Sequence, residues 1–151
     1  MPAPDPAAEL LKNAIADVRA VYRDLEARAL PRDCMRRTAC CQFQLTGKIP
    51  HMTRGEAELA AKALRATGRK TLPERADGAC PLLDPATSRC LIYQDRPFGC
   101  RTHFCAAAGG NYPRETVLDL IRRLEEIDCM IGGDGAHLLA KAIGNALDRK
   151  C

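Results

Sequence analysis

Residues 80–105, with the sequence CPLLDPATSRCLIYQDRPFGCRTHFC, decide how the fold of this chain is interpreted. Cysteines recur through this stretch, but no helical or alternating apolar period runs along it. The short runs 80–83 and 89–93 flank the turn-forming sequence 84–88, which predicts a small hairpin. A long segment without a regular period is unusual inside a compact domain unless something else organises it. Bonds between a metal and thiolates are a sufficient organiser, so we expect a metal-binding core at about residues 32–112.

Helical patterns lie upstream of this stretch. Asp5 is predicted to cap a first amphipathic helix, which starts near Pro6 and runs to about Leu30. Thr53 and Glu56 have the spacing of a capping box, and they predict the start of a second helix that ends near Gly68. This second helix is rich in alanine, so we expect it to pack closely against a neighbour.

Downstream, a third helix is predicted from about Pro113 to the pair Gly132–Gly133, and Asp134 is predicted to cap a fourth. The predicted fold is mainly α, a small bundle of about four helices with an irregular cysteine-rich metal-binding insert and a candidate short hairpin. A chain of 151 residues is long enough to bury an ordinary core, so we expect one domain covering residues 1–151.

The number of cysteines and the expected cellular compartment together indicate what the cysteines do. The chain has nine cysteines, an odd number that does not suit a fully paired set of disulfides. Its N-terminus lacks the basic start and unbroken apolar run of a secretory signal, and no apolar stretch is long enough to span a membrane. We therefore expect a cytoplasmic protein, in which clustered thiols are more often metal ligands or redox groups than disulfides.

The charge pattern bears on possible partners. The net charge is +4, from 23 basic and 19 acidic residues, and the two signs are interspersed along the chain. Aromatic residues make up only 4% of the sequence. Nucleic-acid binding usually needs a basic stripe, often with aromatic stacking platforms, so this composition does not favour it. The expected partner is a metal ion, and a protein partner stays open.

Seven of the nine cysteines lie between residues 34 and 105 and are the candidate metal ligands: Cys34, Cys40, Cys41, Cys80, Cys90, Cys100 and Cys105. Thiolates are soft ligands that select zinc, copper(I) or iron–sulfur clusters. One zinc ion or one cubane needs about four of them, so seven exceed a single site. Some are then spare, or thiolates bridge two ions, or His103 joins them to complete two separate sites.

The spacing leaves the metal open between an iron–sulfur cluster and zinc. No C-x-x-C knuckle of the zinc-ribbon kind is present, and the final C-x4-C resembles only part of the plant-type ferredoxin spacing. Two other interpretations of the cysteines remain, as buried core residues or as a redox relay of disulfides. Neither explains so many cysteines in the part of the chain with the weakest core pattern as well as a metal does.

The runs 80–83 and 90–101 resemble the signature of the YkgJ-type cysteine-cluster proteins, which are described as zinc- or iron-chelating domains and named for a CxxCxxCC motif. The resemblance covers about residues 33–104, and Arg37 stands where the motif has its second cysteine. It implies that Cys105 is a candidate replacement for that missing thiolate. It also implies that Arg96 and Arg101 donate near the metal and partly neutralise the charge of its ligands. The ligands that it implies are Cys34, Cys40, Cys41, Cys80, Cys90 and Cys100.

The sequence thus predicts a metal-binding protein that holds an iron–sulfur cluster or zinc through clustered thiolates, for electron transfer, metal handling or sensing. Two alternatives stay open. One is a small iron–sulfur oxidoreductase or a subunit of a modifying enzyme, and the other is a protein-interaction module stabilised by zinc. Residues 132–135 are interpreted as a turn between helices and not as a nucleotide-binding loop, so catalysis remains an open question.

Overall fold

A computed structural model describes residues 2–28, 49–103 and 111–149 of the chain. As predicted, the described structure is mainly helical. In chain order its elements are α1 (Pro6–Glu26), β1 (His51–Met52), α2 (Arg54–Ala66), α3 (Phe98–Thr102), α4 (Leu118–Met130), β2 (His137–Leu138) and α5 (Leu139–Asp148). Single turns of 3-10 helix precede α3 at Tyr93–Asp95 and α4 at Arg114–Thr116. In the described residues, no helix combines the length and the apolar character needed to cross a membrane.

The predicted starts of the first two helices are confirmed. The Asp5 carboxylate accepts a hydrogen bond from the Ala7 N–H at 3.0 Å. At the start of α2, the Thr53 N–H donates to Glu56 Oε2 at 3.0 Å, which is the backward bond of the predicted capping box. The first helix ends earlier than predicted, because the N–H of Arg28 bonds to the carbonyl of Leu25 in a tighter final turn.

The predicted cap of the last helix is wrong. Asp134 does not cap α5, which begins only at Leu139. The residues between them are taken up by β2, which pairs antiparallel with β1, and the Leu139 N–H bonds to the carbonyl of Pro50. The Asp134 carboxylate instead lies 2.6 Å from Nε2 of His137. A long-range strand pairing has therefore replaced the local cap that the sequence indicated.

The predicted hairpin is present in its smallest form. Leu83 and Cys90 form an isolated antiparallel bridge. The Leu91 N–H donates to Leu82 and the Asp84 N–H to Arg89, both at 2.8 Å. This places Cys80 and Cys90 on the two arms of one hairpin.

The buried apolar residues form two clusters, and α2 contributes to both. The first cluster joins α2, the hairpin and α5, with Leu64, Leu82 and Ile143 at its centre. The second joins α1, α4 and Leu59 of α2. At Gly55 a Cβ atom would lie 3.0 Å from side-chain carbons of both Val18 and Ile127, so α1 and α4 approach α2 closely there. The expected close packing of α2 is confirmed.

Candidate metal centre

The structure describes four of the predicted site residues that are able to bind a metal directly. They are Cys80, Cys90, Cys100 and His103, while Cys34, Cys40, Cys41 and Cys105 lie outside the described residues. Cys80 is buried, and the other three are partly exposed. Within the described ranges, no three His, Cys, Asp or Glu side chains are grouped so as to hold a metal ion.

Cys80 and Cys90 belong to the apolar cluster between α2 and α5. Cys80 is 5% exposed and Cys90 packs against the same cluster. The Cys80 carbonyl accepts the N–H of Leu83, which forms the first turn of the hairpin. The fold therefore holds both thiols on a short rigid element against the core.

Cys100 is positioned by the short helix α3, which follows Pro97. The N–H groups of Cys100 and Arg101 both donate to the Pro97 carbonyl, at 3.0 and 3.1 Å. At the start of α3, the N–H of Phe98 donates to Glu56 Oε1 of α2 at 2.8 Å. A carboxylate of the central helix thus holds the N-terminus of the helix that carries Cys100.

Glu56 is the centre of a buried polar network. The sequence predicted its role in the capping box but not its other hydrogen bonds. Only 3% of the residue is exposed, and Oε1 also accepts the Tyr22 hydroxyl at 2.9 Å. The Thr53 N–H and hydroxyl donate to Oε2. Burial raises the pKa of Glu56, and the hydrogen bonds from Phe98, Thr53 and Tyr22 act against that rise. The pKa of Tyr22 is raised as well, first by burial and then by the negative charge of Glu56.

Arg101 continues this network towards the end of α1. Its side chain is 5% exposed, and its guanidinium carbon lies 4.1 Å from the centroid of the Tyr22 ring. It donates to the carbonyls of Arg96 and Gln94, and to Glu26 Oε1 at 2.7 Å. The positive charge of Arg101 acts against the rise in the pKa of Tyr22 that burial and Glu56 cause.

Arg96 brings a second positive charge to this region. Its guanidinium carbon lies 4.2 Å from the centroid of the Tyr93 ring. Its Nε is buried and has no hydrogen-bond partner in the described part of the chain. A buried donor without an acceptor is costly, so this N–H suits an anionic acceptor such as a thiolate.

The helix α3 also contacts described residues close to two other segments of the chain, residues 29–48 and residues 104–110. Arg101 binds Glu26 just before residues 29–48. A Cβ atom at Gly99 would lie 3.4 Å from the Cβ of Pro50, just after them. The N–H of Tyr112 donates to the Thr102 carbonyl at 3.1 Å. The described residues near both segments that carry the remaining candidate cysteines therefore contact α3.

A family model described as "CxxCxxCC: Putative zinc- or iron-chelating domain" matches residues 33–120, more than half of the chain. The chain belongs to the CxxCxxCC family. The match includes all seven candidate ligands and ends before Cys129, which lies exposed on α4. The family description names zinc or iron as the metal and assigns no particular role or cluster type. The comparisons found no curated protein and no solved structure that matches the chain.

Proposed function

We propose that this protein binds a zinc or iron centre through clustered thiolates, beside α3, and serves in electron transfer, metal handling or sensing. Its ligands are drawn from Cys34, Cys40, Cys41, Cys80, Cys90, Cys100 and Cys105, with His103 as a further candidate. The observation that carries the proposal is that described residues near both remaining cysteine segments, Glu26, Pro50 and Tyr112, contact the helix of Cys100 or the residue that ends it.

The chemistry of the surrounding groups supports the same proposal. A cluster of thiolates carries several negative charges, and nearby cations favour the deprotonated form of a thiol. Arg101 lies next to Cys100 in sequence and is buried, and Arg96 has a buried Nε without an acceptor among the described residues. Zinc bound here would cross-link the two cysteine segments, and an iron–sulfur cluster would add one-electron chemistry.

The network around Glu56 gives the proposed centre a stable support. It connects α1 through Tyr22, α2 through Glu56 and α3 through Phe98. Because residues near a metal control the orientation of its ligands, we expect this network to position the Cys100 thiolate. Arg101 and Glu56 are thus positioning residues in the proposal and not ligands.

The test is to purify the full chain anaerobically without a metal-chelating tag, and to record its elemental content together with its visible spectrum. We expect stoichiometric zinc or iron. Iron with sulfide and a brown colour would support electron transfer, while colourless protein with zinc would favour structural or metal-handling roles. Purified protein that contains neither metal, and binds neither on anaerobic reconstitution, would refute the proposal.

Paired variants test the ligand assignment. Cys100→Ser is expected to reduce the metal content or alter the spectrum, because it removes a proposed thiolate ligand. Cys129→Ser is the matched control, since this exposed cysteine on α4 lies outside the family match. Equal metal content and equal spectra in the two variants would remove Cys100 from the proposed set.

A further inference from the structure

A second concave site lies on the described surface, formed by the start of α2, the turn before β2 and one face of α5. Its volume is about 470 Å³. Pockets of roughly 300–1,000 Å³ are typical of sites for small organic molecules. None of the described candidate metal ligands lines it. The pocket is therefore a feature separate from the proposed metal centre.

The ionisable side chains that line this pocket are mostly basic. They are Arg54, Asp134, His137, Lys141 and Arg149. The Nε of Arg149 donates to Glu58 Oε1 at 2.6 Å, and Asp134 lies 2.6 Å from His137. Hydrogen bonding to His137, and more weakly the charge of Lys141, lower the pKa of Asp134. Asp134, the carboxylate that lines the pocket, thus already pairs with His137. The buried carboxylate of Glu58 pairs with Arg149.

Arg54 and Lys141 are the two lining cations that form no salt bridge with a carboxylate inside the described ranges. The Nε of Arg54 is also buried without a hydrogen-bond partner among the described residues. Its Nη1 makes only a long contact of 3.4 Å with the carbonyl of Gly132. A guanidinium and an ammonium group that line the same pocket without a salt bridge are suited to an oxyanion.

The wall of the pocket is held in a fixed shape. Asp128 is buried and accepts the N–H groups of Arg54 and Gly135, at 2.7 and 2.9 Å. A Cβ atom at Gly133 would lie 2.3 Å from Asp128 Oδ1, so the turn has room only for glycine there. These two backbone N–H groups stabilise the negative charge of Asp128. The turn and the start of α2 are consequently locked together with Arg54 at their junction.

We propose that this pocket binds a small organic molecule that carries a phosphate or carboxylate group. Arg54 and Lys141 bind the oxyanion. His137 and Asn145, which also line the pocket, contact the remainder of the molecule. The proposal does not depend on the metal centre, because it uses other residues and another face of α2.

The test uses the full chain as purified and three probes, namely inorganic phosphate, adenosine monophosphate and succinate. Affinity is measured by titration calorimetry with all probes at one ionic strength, with sodium chloride as the reference, and the series is repeated at a higher ionic strength. Saturable binding of at least one probe, weakened by added salt, is expected. Preference for the two phosphates would assign a phosphate ligand, and preference for succinate would assign a carboxylate. The absence of binding above the chloride reference for all three would overturn the proposal.

Variants locate the binding in this pocket. Arg54→Gln keeps the backbone N–H that bonds to Asp128, and Lys141→Gln alters an exposed position, so both are expected to fold. Each should weaken binding about ten-fold, which corresponds to the loss of one hydrogen bond to a charged group. Lys62→Gln, at an exposed position of α2 away from the pocket, should bind as the parent does. Equal affinity in all three variants would refute the assignment to this pocket.

Discussion

The hydrogen bond between Tyr22 and Glu56 gives a quantitative prediction. Tyr22→Phe removes the hydroxyl that donates to Glu56 Oε1 at 2.9 Å, and keeps the ring that Arg101 covers. Hydrogen bonds to charged groups contribute about 1.5–3 kcal/mol to stability. We expect the free energy of unfolding to fall by about 2 kcal/mol at neutral pH. For a chain of this length that is a drop in Tm of roughly 4–8 °C.

The pH dependence of this loss follows from the raised pKa of Glu56. The native state holds the Glu56 proton more tightly than the unfolded state, so the contribution of this group to stability is full below its unfolded pKa of about 4.3. That contribution is lost as the pH rises through the raised folded pKa. The bond from Tyr22 lowers the folded pKa, so its removal enlarges the loss at neutral pH. Below about pH 4.3 the variant loses only a neutral hydrogen bond, or about 1 kcal/mol.

The assay is urea denaturation of the parent and of Tyr22→Phe at several values from about pH 4, near the ordinary pKa of a glutamate, up to about pH 7.5. The difference in unfolding free energy between the two proteins should grow as the pH rises. A variant within about 0.5 kcal/mol of the parent at neutral pH would show that the bond adds no stability. A difference that is largest at the acid end would refute the argument on the charge of Glu56.

Two further perturbations test other parts of the structure. Gly133→Ala should cost about 1–3 kcal/mol in urea denaturation, because its Cβ would overlap the Asp128 carboxylate. Gly144→Ala is its control, since nothing lies within 4 Å of a Cβ there, and equal stability of the two would contradict the packing at Gly133. Removing the metal with a chelator should lower Tm and reduce the circular dichroism signal, because metal binding and folding are coupled in sites of this kind. An unchanged Tm and spectrum would contradict a structural role for the metal.

The features that the sequence predicted correctly depend on near neighbours. The cap at Asp5, the box formed by Thr53 and Glu56, and the turn of the 80–92 hairpin each involve residues only a few positions apart. Local hydrogen-bonding chemistry is enough to specify such features. The family motif was recognisable for the same reason, because it is a pattern of residues at short spacing.

The features that sequence reasoning missed join distant parts of the chain. Glu56 accepts from Tyr22 and Phe98, which lie 34 and 42 positions away, and no local pattern marks such partners. The error at Asp134 has the same origin, since β2 pairs with a strand from the other half of the chain. All of the candidate ligands, inside and outside the described residues, keep the status of predictions.

The position of α2 between the two apolar clusters has a consequence for cooperativity. Leu59 belongs to one cluster and Leu64 to the other, so a single helix is part of both. If either cluster loses its packing, the other cluster loses part of the apolar surface against which it packs. Small structures that share an element in this way tend to unfold as one unit. A disruption of α3, the helix that carries Cys100, would then lower the stability of all the described helices together. It would not melt one end of the structure alone.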